Sequence, residues 1–146
     1  MRRAAPDLAA PLAAFFGTLE AAGDTRHFHP HAMDAQAARA IAGYAGPDLY
    51  YALLADGEVL GYGLLRGWEE GYEVPSLGIA IHPSGRGRGL GRLLMEFLHS
   101  AARERGARRI RLRVHPDNVA ARRLYDALGY AFEGSERGED VGWLDL

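Results

Sequence analysis

A glycine-rich turn, Arg86-Gly87-Arg88-Gly89-Leu90-Gly91, limits the choice of fold more than any other stretch of this chain, because it joins two segments of different hydrophobic period. Before it, Leu77-Gly78-Ile79-Ala80-Ile81 is apolar on both faces, the pattern of a central strand covered on either side. After it, Leu90 to Arg105 carries Leu90, Leu93, Leu94, Phe97, Leu98 and Ala101 at helical spacing, and Gly106 provides the stop. A helix that starts there exposes unpaired N–H groups and the positive end of its dipole, a ready place for an anion. Glycines let the backbone come close to such a ligand and accept positive φ. The dipole alone contributes only about 0.3–1 kcal/mol at an exposed site, so charge-assisted N–H bonds and arginine contacts must provide the rest.

The remaining pattern is that of an α/β (α+β) domain. Leu12, Phe15, Phe16 and Leu19 mark a first helix over Leu8 to Ala22, with Pro11 in its first turn and Gly23-Asp24 as a stop. Asp34 is placed to cap a second helix over Ala35 to Ala45, ending near Gly46-Pro47. Leu49 to Leu54 and Val59 to Leu65 read as strands joined by Asp56-Gly57, a strong hairpin signal. Val74 to Ile81 forms the next strand, after an acidic tip with Glu69, Glu70 and Glu73. Arg109 to Val114 alternates arginine with apolar residues, so it predicts a strand with one buried face. A further helix runs from Asn118 to Leu128, and Tyr130 to Glu133 and Val141 to Leu146 close the chain as strands. With a short strand from Arg2 to Ala5, this order predicts a mixed, mostly antiparallel central sheet of six to seven strands flanked by helices. A length of 146 residues suits one domain over 1–146.

Charge is distributed unevenly. Net charge is −2, yet Arg86 to Arg123 holds eleven arginines against three carboxylates, while the rest of the chain is acidic. That asymmetry points to a phosphate-bearing ligand on one side. A Walker-type loop requires a lysine, and the chain has none; the dinucleotide fingerprint fails because its sixth position falls on Leu90 or Arg92. What remains is Arg-x-x-Gly-x-Gly at Arg86, Gly89 and Gly91.

The run from Ile79 to Leu94 resembles the acetyl-CoA signature of the GNAT superfamily of N-acetyltransferases. The run Asn118-Val119-Ala120-Ala121-Arg122-Arg123-Leu124-Tyr125-Asp126-Ala127-Leu128-Gly129-Tyr130 is similar to the family's second motif, Asn-x-x-Ala-x-x-x-Tyr-x-x-x-Gly-Phe, with Tyr130 in place of Phe. The resemblance implies a central strand that splays from the strand ending at Val114. It implies that pantetheine pairs with the backbone of Ile79, Ala80 and Ile81 in the gap. The amides of Arg86, Gly87, Arg88, Gly89, Leu90 and Gly91 would hold the pyrophosphate. Asn118 would touch the pantetheine arm, and Arg92 or Arg123 would approach the phosphorylated end. Tyr125 would serve as the acid beside the departing thiolate.

The implied chemistry is direct attack of a primary amine on the thioester of acetyl-CoA in a ternary complex. An amine of pKa about 10.4 costs roughly 4.6 kcal/mol to deprotonate at pH 7, so a base is wanted. Where the family commonly carries glutamate near the start of the central strand, this chain has Ser76; Glu73 is the nearest carboxylate and the candidate base. His29 and His31, in His27-Phe28-His29-Pro30-His31, fall in the segment that walls the acceptor pocket in the family and are candidate acceptor contacts. Their alternate spacing invites a metal reading, but Pro30 breaks regular structure and only Asp24 or Asp34 is near enough in sequence to complete a set, so no metal is expected. The acceptor is expected to be a small molecule or a peptide amine: a cationic amine suits the acidic tip, an amino sugar the histidines. The absence of cysteine excludes disulfides, thiolate zinc sites and a cysteine nucleophile. No run approaches a membrane span and no signal peptide is read, so no membrane partner is expected and the cytoplasm is the expected location; the glycine turn localises the arginine charge, so nucleic acid is not an expected partner either. A homodimer is left open. The competing reading is an acyl-CoA-binding sensor or scaffold without turnover.

Overall fold

The computed structural model describes residues 1–146 as a single seven-stranded sheet with helices on both faces. In chain order the elements are β1 (Arg2–Arg3), α1 (Ala9–Ala21), α2 (Ala35–Ala42), β2 (Leu49–Ala55), β3 (Glu58–Arg66), β4 (Ser76–Ile81), α3 (Leu90–Glu104), β5 (Arg109–Val114), α4 (Val119–Ala127), β6 (Ala131–Glu136) and β7 (Glu139–Asp145). The strands lie in the order β1-β2-β3-β4-β5-β7-β6. Every neighbouring pair is antiparallel except β4 and β5.

Local chemistry accounts for most boundaries. Asp34 caps α2 by accepting from the Ala37 amide at 2.8 Å, and Asn118 caps α4 by accepting from Ala121 at 3.3 Å. Asp56 and Gly57 both take positive φ, 51° and 78°, as a two-residue hairpin between β2 and β3 requires. Helix α2 stops at Ala42, three residues short of the sequence expectation, because Gly43 closes it and Pro47 forbids a continuation.

Strand alternation divides the core in two. Ala52, Tyr62, Leu64 and Ala80 pack under α1 and α2, with Leu12, Phe15, Phe16 and Leu19. Leu65, Leu77, Ile110, Leu112 and Val114 pack on the opposite face, against Leu94 and Leu98 of α3 and Tyr125 of α4. Gly63 makes this close docking feasible: a Cβ there would lie 2.8 Å from the Leu98 side chain. The buried stripe of α3 differs from the one expected. Leu93 is 51% exposed, whereas Met95 and His99 are buried, and the Tyr130 hydroxyl satisfies His99 at 2.7 Å.

One interruption of the sheet positions the site. β4 and β5 share a single register pair, Ser76 with Arg111, sealed by the Arg111 amide donating to the Pro75 carbonyl at 3.0 Å. Beyond that point the parallel strands diverge, which is the splay expected from the resemblance.

Candidate active site

The splay leaves polar backbone without a strand partner. The His82 amide donates to the Leu60 carbonyl of β3, so alternation directs Ala80 and Gly78 toward β3 as well. Ile79 and Ile81 therefore direct their N–H and C=O groups into the gap facing β5. Ala80, expected beside them as a backbone contact, faces β3 instead and puts its side chain into the α1–α2 core.

At the end of β4 the chain makes a short turn, Pro83–Gly85, and then enters the glycine run. Gly87 and Gly89 take φ of 73° and 78°, and Gly89 is the residue before the first turn of α3. In that conformation the amides from Arg86 to Arg92 donate to no backbone or side-chain acceptor of the chain, while Leu93 is the first to bond back, to Gly89 at 3.1 Å. A run of free donors at the positive end of a fifteen-residue helix is an anion cradle. Gly91 contributes through size: a Cβ there would sit 3.3 Å from Leu124, so glycine brings α4 close to the turn.

Arginine side chains around this cradle have unequal freedom. Arg86 is committed: its guanidinium donates to Asp24 at 2.6 Å and to the Ile81 carbonyl at 3.2 Å, tying the turn to the segment after α1. Arg92 pairs with Glu96 on its own helix at 3.1 Å. Arg88 and Arg123 are exposed and make no ion pair. Asn118 uses its side-chain oxygen to cap α4, which leaves its amide group to reach a ligand.

Tyr125 sits inside the second core cluster, 7% exposed, with its ring 5.8 Å from that of Tyr130. Burial pushes its pKa up to about 12. A group so raised stays protonated across the physiological range and donates a hydrogen bond. Transferring its proton outright to a thiolate of pKa about 8.5 would be uphill by roughly 5 kcal/mol.

Across the sheet from Tyr125 lies a cleft of about 800 Å³, within the range of small-molecule sites. It is walled by the segment after α1, the inner ends of β3 and β4, β5, and the β6–β7 hairpin. Ser76 and Gly78 lie at its floor, at the apex of the splay. His29 lines it, with Nε2 3.8 Å from Glu139, which is only 8% exposed. His31 does not. Its Nδ1 donates to the Ala32 carbonyl at 2.7 Å and its Nε2 accepts from the Tyr62 hydroxyl at 2.9 Å, deep beside Phe16. Burial lowers its pKa, in keeping with a neutral ring. Glu73 is exposed on the turn before β4 and is not part of the cleft wall; Glu70, Glu136 and Glu139 are.

Sequence reading missed the arginines of the cleft, Arg66, Arg111, Arg113 and Arg137. Alternation in β5 held the signal. With Ile110, Leu112 and Val114 in the α3–α4 core, Arg111 and Arg113 must face the opposite side, where the cleft opens.

The chain belongs to the Acetyltransferase (GNAT) family, whose sequence pattern matches residues 16–130. Over 87 residues it is 34% identical to the streptothricin acetyltransferase of Streptomyces lavendulae, covering 58% of this chain and 45% of that one. The chain spans between 31% and 61% of the length of the curated relatives it matches. Its fold is that of the GNAT domain of S. lividans PAT, with a TM-score of 0.85 at 21% identity over 99% of this chain and 89% of that chain. A GCN5-related N-acetyltransferase from Kribbella flavida aligns with a TM-score of 0.80 at 27% identity, over 99% and 96% of the two chains.

Proposed function

We propose that this chain transfers an acetyl group from acetyl-CoA to a primary amine, with donor and acceptor bound together on opposite sides of the β4–β5 splay. The observation that carries this reading is the unbroken run of free amides from Arg86 to Arg92, placed beside the outward-facing backbone of Ile79 and Ile81. A pyrophosphate fits the first, and an amide-bearing arm such as pantetheine fits the second. Asn118 lies at the start of α4 to meet that arm, and Arg88 and Arg123 carry free charge for a terminal phosphate.

Bound acetyl-CoA supplies an activated acyl carbon. At that carbon the amine's N–C bond forms as the C–S bond breaks; the amine loses a proton and the sulfur gains one. The chain's own groups serve each part of this exchange. An N–H of β4 facing the gap stabilises negative charge on the acyl oxygen. The Tyr125 hydroxyl, held protonated by burial, donates toward the sulfur. Glu139, buried in the acceptor cleft beside His29, is better placed than Glu73 to receive the ammonium proton.

The test is a turnover screen in which acetyl-CoA is mixed with a panel of small amines and peptide N-termini, and thiol release is followed. Amine-dependent release, abolished or slowed at least tenfold by Tyr125→Phe, supports the reading. Affinity for acetyl-CoA without release on any amine would instead favour a sensor or scaffold.

A further inference from the structure

The acceptor cleft has a charge character that acetyl transfer alone does not require. Four arginines line it against three glutamates, in a protein whose net charge is −2. Of the four, only Arg111 has a carboxylate partner, Glu136 on β6. Arg66, Arg113 and Arg137 have no carboxylate within ion-pair distance, although acidic residues outnumber basic ones in the chain. The Arg111 Nε is, in addition, the one buried side-chain polar atom of the molecule that lacks a hydrogen-bond partner.

The hairpin that presents Arg137 strengthens the point. β6 and β7 are joined by the two residues Arg137 and Gly138, both at positive φ, 52° and 79°. The β2–β3 hairpin has the same geometry and uses Asp56-Gly57, the pairing that such a turn favours. Arginine is a poor residue for the left-handed region, costing about 1–2 kcal/mol. The β6–β7 turn nevertheless places it there, in the lining of the cleft. Backbone strain of this kind accumulates where a side chain is wanted for binding.

We infer that the acceptor carries an anionic oxyacid group, a carboxylate or a phosphate, in addition to the amine that is acetylated, and that Arg66, Arg113 and Arg137 bind that group. The inference rests on the acetyl-transfer reading above and names the substrate class of the same site. Guanidinium forks match the planar carboxylate and the phosphate face, and Arg66 on β3, Arg113 on β5 and Arg137 in the β6–β7 turn, none of them paired with a carboxylate, line one cleft from three separate elements. Glu139 and His29, on the cleft wall formed by β7 and the segment after α1, remain for the amine end.

The experiment compares matched amines: α- and ω-amino acids against their carboxamides, and aminoalkyl phosphates against the corresponding amino alcohols. kcat/KM is read by thiol release from acetyl-CoA. At least a tenfold preference for the charged member of a pair, expressed in KM, is expected; carboxylate and phosphate pairs tell the two sources apart. Arg113→Gln, at an exposed position, should reduce that preference to less than threefold, and Arg66→Gln serves as an independent second variant. Turnover with equal or better use of the neutral members would overturn the inference while leaving acetyl transfer intact. Should no amine be acetylated, the same pairs are titrated against the arginine Nε–H NMR signals of the protein with CoA present. Movement of the Arg66 and Arg113 signals by the acids alone then supports the inference without the transfer reading, and no movement overturns it.

Discussion

Tyr125 and the glutamates of the cleft show how a residue's role is set by what encloses it. Burial holds the Tyr125 pKa at about 12, so its proton stays on below that value. The kcat profile of the wild type is therefore predicted to show no alkaline limb from this group up to pH 10, and Tyr125→Phe to lose at least tenfold in kcat with acetyl-CoA affinity kept. A kcat that falls between pH 8 and 9 with a tyrosinate absorbance change would contradict that assignment. The motif around Tyr125 was legible in the sequence because its residues are contiguous on one helix. The base was not. Glu73 is near the motif in sequence but lies exposed outside the cleft wall, while Glu139 reaches the cleft through the β6–β7 hairpin, where it pairs with Glu136. Glu139→Gln is expected to lower kcat/KM at least tenfold and Glu73→Gln to change it less than twofold; the reverse order would make Glu73 the base.

At the scale of elements, two short connections position the site. Gly89 adopts the left-handed conformation that turns the amides of the α3 start outward. Gly89→Ala has open space for its methyl but the wrong φ, so about 1–2 kcal/mol of strain should appear as a loss of about tenfold in CoA affinity. Unchanged affinity by calorimetry would show that this conformation is dispensable. The turn between β3 and β4 depends on Asp48, buried at 2% exposure, whose Oδ1 accepts from the amides of Gly67, Trp68 and Glu69 at 3.0–3.2 Å. Asp48→Ala orphans all three donors and is expected to cost about 3 kcal/mol in urea unfolding, with a raised KM for the amine because Glu70 and Tyr72 hang from that turn. Strands, helices and caps could be read from periodicity and from Asp34, Asn118 and Asp56-Gly57. The α3 stripe was read correctly at Leu94 and Leu98, but Met95 and His99 were missed, because His99 is polar in the sequence and becomes a core residue only through Tyr130.

For the whole molecule, the two helical layers are each coupled to pH through a histidine withdrawn from solvent, His31 half-buried and His99 buried. Burial lowers the pKa of His31, beside Phe16 of α1, and of His99, on the inner face of α3. Their unfolded value is about 6.5, so the unfolded chain binds more protons below that pH. Stability is thus predicted to be full above about pH 6.5 and to fall as the pH drops below it. His31→Gln should flatten that slope in melts between pH 7 and 5, and an unaltered slope would remove His31 from it. The cleft was the least legible part of the chain, since Arg66, Arg111 and Arg137 are far apart in sequence and meet only across the assembled sheet. The proposed donor side was the most legible, being one strand, one turn and one helix in succession. Its cradle is the central claim, and amide chemical-shift mapping with CoA tests it most directly. The largest shifts are predicted at the backbone N–H groups of Arg86 to Arg92, with Ile79 and Ile81 next. Saturable binding that leaves the Arg86–Arg92 amides unmoved, or no binding at all, would contradict it.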